Sequence, residues 1–340
     1  MNSVTFLGDI WLPQPVKSAV NFDEPIVFNL EGPITGCTSP AHQKICLRME
    51  RNCIETTFRT APLAVCLANN HIMDYGLAGY LDTLATLKAA GIRHFGAGTL
   101  AENCNNPLVL PVGDTLVGLL GYVCPTTDPV FAEDVRPGVR PITLSRIEMD
   151  IQTARQQGAR RVVVNLHWGA EGVGVPRPVD VELAHRILAA GADTIIGHHS
   201  HCIQSYELWD SKCVCYGLGN CIFPSEWVLR PAPAGFTRFR LRIPAASGFS
   251  MRVRLDLESG TAAPSILRFD GGELKTVKRS VTRFLLPSMS PEAYARHYHR
   301  RAHGDLLRFD LGCFLAQPRL PKLATCFDVL HRLLKGIGVS

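Results

Sequence analysis

Short apolar segments alternate with segments of helical periodicity over the first two-thirds of the chain. The predicted strands are residues 4–7, 26–28, 63–67, 108–110, 116–122, 162–166 and 194–196. The predicted helices are residues 77–87, 145–157 and 179–190, and they end at Gly91, Gly158 and Gly191. Repetition of helix, glycine and short strand is typical of βαβ units. The pattern therefore predicts an α/β fold with a mostly parallel or mixed sheet.

Side chains that can bind metal directly follow five of these strands. They are Asp9, Glu31, the pair Asn70-His71, His167 and the run His198-His199-Ser200-His201. Ligand sites in open α/β sheets form at the carboxyl ends of the strands. If the strands share a sheet, these five clusters converge on one site.

The character of the chain changes after Phe223. Apolar and polar residues alternate over 239–243 and 251–257, which predicts two half-buried strands joined around 244–248 as an antiparallel hairpin. The arginines between them either face solvent or meet an anionic substrate. Residues 291–301 and 320–334 look helical and basic, and either pack on the domain or bind a biosynthetic protein partner. We therefore divide the chain into a domain over 1–275 and a helical extension over 276–340.

The composition fits a globular protein with a sizeable core, since 46% of residues are hydrophobic and 19% are charged. No apolar run is long enough for a transmembrane helix, and the N-terminal residues do not resemble a signal peptide. A net charge of +5 is too small to indicate a nucleic-acid partner. The twelve cysteines are scattered, which favours reduced thiols and a cytoplasmic location. Cys213 and Cys215 share a strand face and could instead bind metal.

Two clusters carry the most specific chemistry. In Asn69-Asn70-His71, an amide oxygen can bind a divalent ion and the imidazole can donate a proton, although such a turn can also cap the following helix. In the segment 197–201, three imidazoles in four residues would repel one another if protonated. Metal coordination favours the neutral ring, so this cluster predicts ligands.

The candidate ligands are carboxylates, an amide and imidazoles, without thiolates. This set suits Zn, Mn, Fe or Mg. Seven candidates exceed what one four-coordinate ion needs, which predicts one or two divalent ions, with two neighbouring ions able to clamp a phosphoryl group.

Between residues 4 and 225 the sequence resembles the CapA family, named for poly-γ-glutamate capsule biosynthesis. The motifs that carry the resemblance are Gly8-Asp9, Asn29-Leu30-Glu31-Gly32-Pro33, Leu67-Ala68-Asn69-Asn70-His71 with Asp74-Tyr75-Gly76, Gly96-Ala97-Gly98, His167-Trp168-Gly169-Ala170-Glu171, Gly197-His198-His199-Ser200-His201 and Tyr216-Gly217-Leu218-Gly219-Asn220. The resemblance implies the calcineurin-like metallophosphoesterase fold, a four-layer α/β/β/α sandwich of two mixed sheets flanked by helices.

The resemblance also implies roles for individual residues. One ion would be held by Glu31, Asn70, His167 and His199, and the other by Asp9, Glu31 and His201, with Glu31 shared. His71 would act as general acid or contact the oxyanion, and Asp74 would orient it. The residues expected to support the ligands or bind substrate are Arg48, Asn69, Glu171, His198 and Asn220.

Three features depart from the family pattern. Asp9 is followed by Ile10 and Trp11, where phosphoesterases usually have Asp-x-His, so one ion position is short of a ligand. CapA proteins usually lack this histidine too, but often have methionine in place of Trp11. Gly172 stands where many family members have tyrosine. We also expect this chain to lack the membrane anchor that is usual in the family.

Three functions are compatible with these features. The first is a metal-dependent hydrolase of a phosphoester, a γ-glutamyl bond or a related amide, linked to capsule or poly-γ-glutamate biosynthesis. The second is a non-catalytic accessory protein that binds an anionic polymer or a synthase. The third is an enzyme that forms an amide bond in a modified peptide or metabolite. A fold alone does not decide among them.

Overall fold

A computed structural model describes residues 2–18, 20–41, 44–209, 211–233 and 235–315. The strands, in chain order, are β1 (Ser3–Ile10), β2 (Lys17–Ser18), β3 (Ile26–Leu30), β4 (Ala64–Cys66), β5 (Arg93–Phe95), β6 (Ala97–Gly98), β7 (Leu108–Val112), β8 (Thr115–Val123), β9 (Gly138–Val139), β10 (Arg161–His167), β11 (Thr194–His198), β12 (Tyr206–Trp209), β13 (Lys212–Cys215), β14 (Asn220–Ile222), β15 (Trp227–Ala232), β16 (Gly235–Arg240), β17 (Phe249–Asp256), β18 (Ala262–Asp270) and β19 (Glu273–Val277). The α-helices are α1 (Cys53–Thr57), α2 (Gly76–Ala89), α3 (Leu144–Gln156), α4 (Pro178–Ala189) and α5 (Pro291–Leu315).

The first large sheet combines a parallel half with an antiparallel half around β1. Its strand order is β2-β19-β18-β17-β1-β3-β4-β5, and β14 also pairs with β1. Strands β1, β3, β4 and β5 are parallel, whereas β17 and β18 run antiparallel to their neighbours. The carboxyl ends of β1, β3 and β4 therefore lie along one edge of this sheet.

The second large sheet has the order β12-β13-β11-β10-β8-β7 and is also mixed. Its central strands β8, β10, β11 and β13 are parallel. Strand β10 is apolar on both faces: Val163 packs in the core shared with the first sheet, and Val162 and Val164 pack in a second core. Helices α3 and α4 cover that second core, since Ile151 and Ile187 pack in it. A near-continuous apolar strand is the expected sequence signature of burial on both faces.

The structure confirms the mixed α/β class and each of the seven predicted strands and three predicted helices. The predicted pairing of the C-terminal hairpin is wrong. Strand β17 pairs with β18, and β16 pairs with β15 instead of with β17. Alternating polarity identified half-buried strands but carried no information about their partners, which are decided by the turns and the sheet that receives them.

The basic C-terminal region is helical from residue 291, as α5. The predicted helix at 320–334 lies outside the described residues. The four-layer arrangement and the division at residue 275 stay predictions. None of the helices in the part of the chain that the structure describes combines the length and apolar character needed to cross a bilayer.

Gly8 allows the close approach that positions the end of β1. A Cβ at this position would lie 2.0 Å from the Gly219 carbonyl oxygen, which accepts a hydrogen bond from the Asp9 amide. We expect Gly8→Ala to lower the free energy of unfolding by at least about 3 kcal/mol, because backbone would have to move. Urea denaturation measures this. Gly36→Ala is the matched control, since nothing lies within 4 Å of its Cβ position. Equal stability of the two variants would contradict this account of Gly8.

Candidate metal centre

Two buried carboxylates meet where the parallel strands of the first sheet end. Asp9 lies at the end of β1 and Glu31 directly follows β3, and both are fully buried. Asn29, inside β3, donates from its amide nitrogen to Asp9 Oδ1 at 2.8 Å and also to Glu31 Oε2. One amide therefore holds both carboxylates in place.

The second sheet brings imidazoles to the same point. His167 and His198 end the neighbouring strands β10 and β11 and are register partners. His198 Nδ1 lies 3.0 Å from Asp9 Oδ1, and His167 Nε2 lies 2.9 Å from the side-chain oxygen of Asn70. Asp9 belongs to β1 and Asn70 follows β4, so each contact joins the second sheet to the first sheet or to the turn that follows it, and the site sits between the two sheets.

Asp9, Glu31 and His167 form the tightest group of candidate ligands. Each offers one ligand atom, and these atoms all lie within 4.8 Å of one another. His167 Nε2 is 3.6 Å from Glu31 Oε1. The family resemblance assigned His167 to one ion position, Asp9 to the other and Glu31 to both, so this group contains residues of both positions.

The remaining histidines lie on a strained segment after β11. His199 and His201 have φ angles of 84° and 52°, the left-handed region, which costs about 1–3 kcal/mol for a residue other than glycine. The His199 amide donates to Asp9 Oδ2 at 3.2 Å, and its ring lies 4.8 Å from that of His167. His201 Nδ1 lies 2.8 Å from Asn220 Oδ1 and 3.6 Å from Asp9 Oδ2. The strained backbone thus places the His201 ring beside Asp9 and the His199 ring beside that of His167.

His71 and Asp74 form a second pair beside this group. His71 Nδ1 lies 2.7 Å from Asp74 Oδ2. A carboxylate only accepts hydrogen bonds, so Nδ1 carries the proton and Nε2 is left for another partner. The amide of His71 donates to Asn69 Oδ1, and Asn69 in turn donates to Asn29 Oδ1 at 3.0 Å. The pair is therefore tied to the amide that holds the two carboxylates.

The electrostatics of the carboxylates favour a cation. Burial raises the pKa of Glu31 well above its usual range, and the charge of Asp9 adds to this effect. Burial also acts to raise the pKa of Asp9, but the hydrogen bond and charge of His198 outweigh it, so the pKa of Asp9 is lowered. A divalent ion would relieve the repulsion between the two carboxylates.

Burial favours the neutral, metal-binding form of two of these imidazoles, His167 and His199. Burial lowers the pKa of His167 well below 6.5, and the neighbouring imidazoles, led by His199, lower it further. Burial lowers the pKa of His199 to about 4. Within the described part of the chain, several buried atoms have no hydrogen-bond partner: Glu31 Oε1, His167 Nδ1, His198 Nε2 and His199 Nδ1. Unpartnered buried donors and acceptors are costly, so the nitrogen and oxygen set fits a bound divalent ion.

Two predicted substrate-binding residues lie outside these contacts. Arg48 is exposed, donates to the Cys37 carbonyl at 2.8 Å and lines a cavity of about 550 Å³ that Trp11 and Trp227 also line. Glu171 is exposed and affects His199 only through its charge, which raises the pKa of that imidazole.

Two residues of the site were missed by the sequence analysis. The sequence could have indicated Asn29, because it is the one polar residue in the buried strand Ile26–Leu30 and a buried amide needs hydrogen-bond partners. Lys44 lies in a loop without a motif. Its ammonium group donates to the Asn70 carbonyl and lies 3.2 Å from Asp74 Oδ1. Only tertiary structure brings the Lys44 ammonium group to Asn70 and Asp74.

The fold and the site define an α/β protein with a candidate metal centre between two mixed sheets. The chain belongs to the family described as bacterial capsule synthesis protein PGA_cap, whose model matches residues 6–225. The predicted resemblance to CapA is confirmed.

Curated relatives carry related names. The chain is 28% identical to "Capsule biosynthesis protein CapA" of Bacillus anthracis, over 77% of this chain and 69% of that protein. It is 27% identical to "PGA biosynthesis protein CapA" of Bacillus subtilis, over 83% of this chain and 78% of that protein. It is 32% identical to a "Probable polyglutamine synthesis accessory protein" of Mycobacterium tuberculosis, over 59% of this chain and 56% of that protein.

Solved structures are more distant. A 5'-nucleotidase precursor from Thermus thermophilus aligns with a TM-score of 0.41 and 16% identity, over 90% of this chain and 59% of that one. The calcineurin-like phosphoesterase YfkN of Bacillus subtilis aligns with a TM-score of 0.39 and 13% identity, over 88% of this chain and 97% of that one. Similarity at this level does not define an activity.

A divalent ion should stabilise the folded chain. At a concentration of 100 times Kd, an ion that binds only the folded state adds about 2.7 kcal/mol, which raises Tm by several degrees. We expect this rise when Mn²⁺ or Zn²⁺ is added to metal-free protein in a thermal scan. An equal rise in a variant with His199→Ala and His201→Ala would place the ion elsewhere.

Proposed function

We propose that this chain is a metal-dependent hydrolase of polymer biosynthesis that acts on a phosphoester or on a γ-glutamyl or related amide bond. The observation that carries the proposal is the buried group of Asp9, Glu31 and His167, whose ligand atoms lie within 4.8 Å of one another. Asn70, His199 and His201 surround this group and complete the proposed ligand set. A divalent ion held there would supply Lewis-acid stabilisation of a developing oxyanion.

His71 supplies the proton chemistry in this proposal. Its Nδ1–H is held by Asp74, so Nε2 can take up a proton and, from the imidazolium so formed, deliver it to the leaving group. The side chain of His71 is 12% exposed, whereas that of Asp74 is fully buried. His71 can therefore reach a bound molecule, while Asp74 fixes the orientation of the ring.

Metal content and turnover test the proposal together. The protein is purified without a chelator or a His-tag column, metal per chain is measured, and hydrolysis of phosphoesters and γ-glutamyl amides is assayed after addition of Mn²⁺ or Zn²⁺. We expect at least one ion per chain and metal-dependent turnover of one substrate class. Protein without metal and without activity in either assay would refute the hydrolase.

A non-catalytic accessory role is the second candidate, favoured by the name of the Mycobacterium tuberculosis relative. In that case the site would bind an ion without turnover. The partners proposed with either function are an anionic substrate or polymer and a biosynthetic protein bound through the C-terminal region. The proposed cytoplasmic location rests on the scattered cysteines.

A further inference from the structure

A cavity of about 790 Å³ lies outside the ligand group described above. Cys202 and Ile203, which directly follow His201, contribute to its lining, as does Gly172, which follows Glu171. Its volume is within the range of about 300–1,000 Å³ that small-molecule sites occupy. The cavity is therefore large enough for a ligand and is built in part from segments that carry the candidate metal centre.

Two segments of the C-terminal region make this cavity basic. His297, Arg301, Asp305 and Arg308 line it from α5, at spacings of three and four residues that place them on one helix face. Arg279 and Arg283 line it from the segment before α5. Among the described residues that line the cavity, there are therefore four arginines and one carboxylate, that of Asp305.

That carboxylate is already engaged. Asp305 Oδ2 accepts a hydrogen bond from the Gly174 amide at 3.1 Å, and Oδ1 lies 3.5 Å from Arg308 and 3.9 Å from Arg301. One acid cannot neutralise both of these arginines and also Arg279 and Arg283.

Arg279 and Arg283 are the uncompensated pair. In the described part of the chain, no carboxylate lies within ion-pair distance of either guanidinium group. Each lies over an aromatic ring instead, Arg279 at 4.7 Å from the centre of Phe249 and Arg283 at 4.6 Å from that of Phe284. Burial lowers the pKa of Arg283, and the charge of Arg279 lowers it further.

The helical wall of the cavity is fixed by packing. The Tyr294 hydroxyl donates to the Pro176 carbonyl at 2.8 Å, and Ala302 packs on Val173 and Val175. Gly172 has φ +74°, and a Cβ there would lie 2.4 Å from Phe309 Cγ. The glycine that departs from the family pattern therefore makes room for α5.

We propose that this cavity is a binding site for an anionic ligand with at least two acidic groups, carboxylates or phosphates, held by Arg279 and Arg283 from the segment before α5 and by Arg301 and Arg308 from α5. Arginine forks bind both kinds of group through paired hydrogen bonds. The site goes beyond the proposed hydrolase and requires neither metal nor turnover.

Calorimetric titration of the full chain tests the site. The protein is freed of metal by dialysis, so that the candidate metal centre does not contribute, and is titrated at low ionic strength with hexaglutamate and, separately, with inorganic tripolyphosphate. The cavity variant carries Arg279→Gln and Arg283→Gln. The control carries Arg296→Gln and Arg300→Gln. These two arginines of α5 are exposed and lie outside the cavity lining, and replacing them removes the same amount of charge as the cavity variant does.

We expect the wild type to bind one probe or both, with binding by the cavity variant weakened at least about tenfold and by the control less than about twofold. The probe that binds more tightly identifies carboxylates or phosphates as the ligand chemistry. Absence of binding to both probes would overturn the site, as would equal weakening in the cavity and control variants. If the cavity variant unfolds, Arg301→Gln with Arg308→Gln removes charge from the other side and decides the question by the same comparison.

Discussion

Replacing His167 with alanine is expected to remove bound metal and to reduce turnover by about 10³-fold or more. His167 is the member of the tight ligand group that comes from the second sheet, and its Nε2 faces both Glu31 and Asn70. Without it, Asp9 and Glu31 remain buried with one ligand fewer, and the loss of several kcal/mol of transition-state stabilisation corresponds to that factor. Metal per chain and initial rates measure the two effects.

The control for His167→Ala is His185→Ala. His185 also contacts a carboxylate, since its Nε2 lies 3.0 Å from Glu207 Oε1, but it lies on the exposed surface of α4. We expect the control to keep both metal and activity. Unchanged metal content in His167→Ala, with the fold retained by circular dichroism, would show that the ion is not bound between the two sheets.

His71→Ala is expected to lower turnover by about 10²–10⁴-fold while metal content stays at the wild-type value. This range is the usual contribution of a positioned general acid or base. His71 is held through Asp74 and Asn69 and is not a member of the group of Asp9, Glu31 and His167. Rates and metal stoichiometry measured on the same preparation separate proton chemistry from ion binding.

The variant Asp74→Asn tests whether Asp74 acts by orienting the His71 ring, separately from the proton transfer that His71 itself performs. If Asp74 acts through His71, its substitution should reduce turnover, and the double variant should lose little more than His71→Ala alone. Asp74 also accepts a hydrogen bond from the Leu47 amide at 2.7 Å, so some loss of stability is expected in this variant.

His94→Ala, at a partly buried histidine bonded to Asn105, is the matched control for His71→Ala and should leave the rate unchanged. A full rate in His71→Ala would exclude its role as the acid.

The hydrophobic periodicity of the sequence predicted most of the strands and helices, because it depends on which residues are buried. The near-continuous apolar run within Arg161–His167 has to be covered on both faces. The leucines at helical spacing in α2 predicted the helix but not which side is buried, because Leu77 and Leu81 are exposed and Leu87 is buried. The same reasoning failed for the C-terminal hairpin. Alternation over β16 and β17 indicated which residues turn inward, yet strand partners are chosen by non-local contacts that the local pattern does not contain.

The sequence by itself determined which residue types follow each strand, and parallel strands bring such residues to one edge of a sheet. That is why Asp9, Glu31 and Asn70, which lie at or after the ends of parallel strands of the first sheet, converge as proposed, whereas His167 ends a strand of the second sheet. Tertiary structure alone decided how the two sheets face each other. It joined Asp9 to His198, placed Asn29 between the two carboxylates and brought Lys44 to Asp74. It also assembled the arginine-lined cavity from two segments of the C-terminal region. These contacts link residues far apart in the chain, and their geometry depends on packing between elements rather than on any local preference.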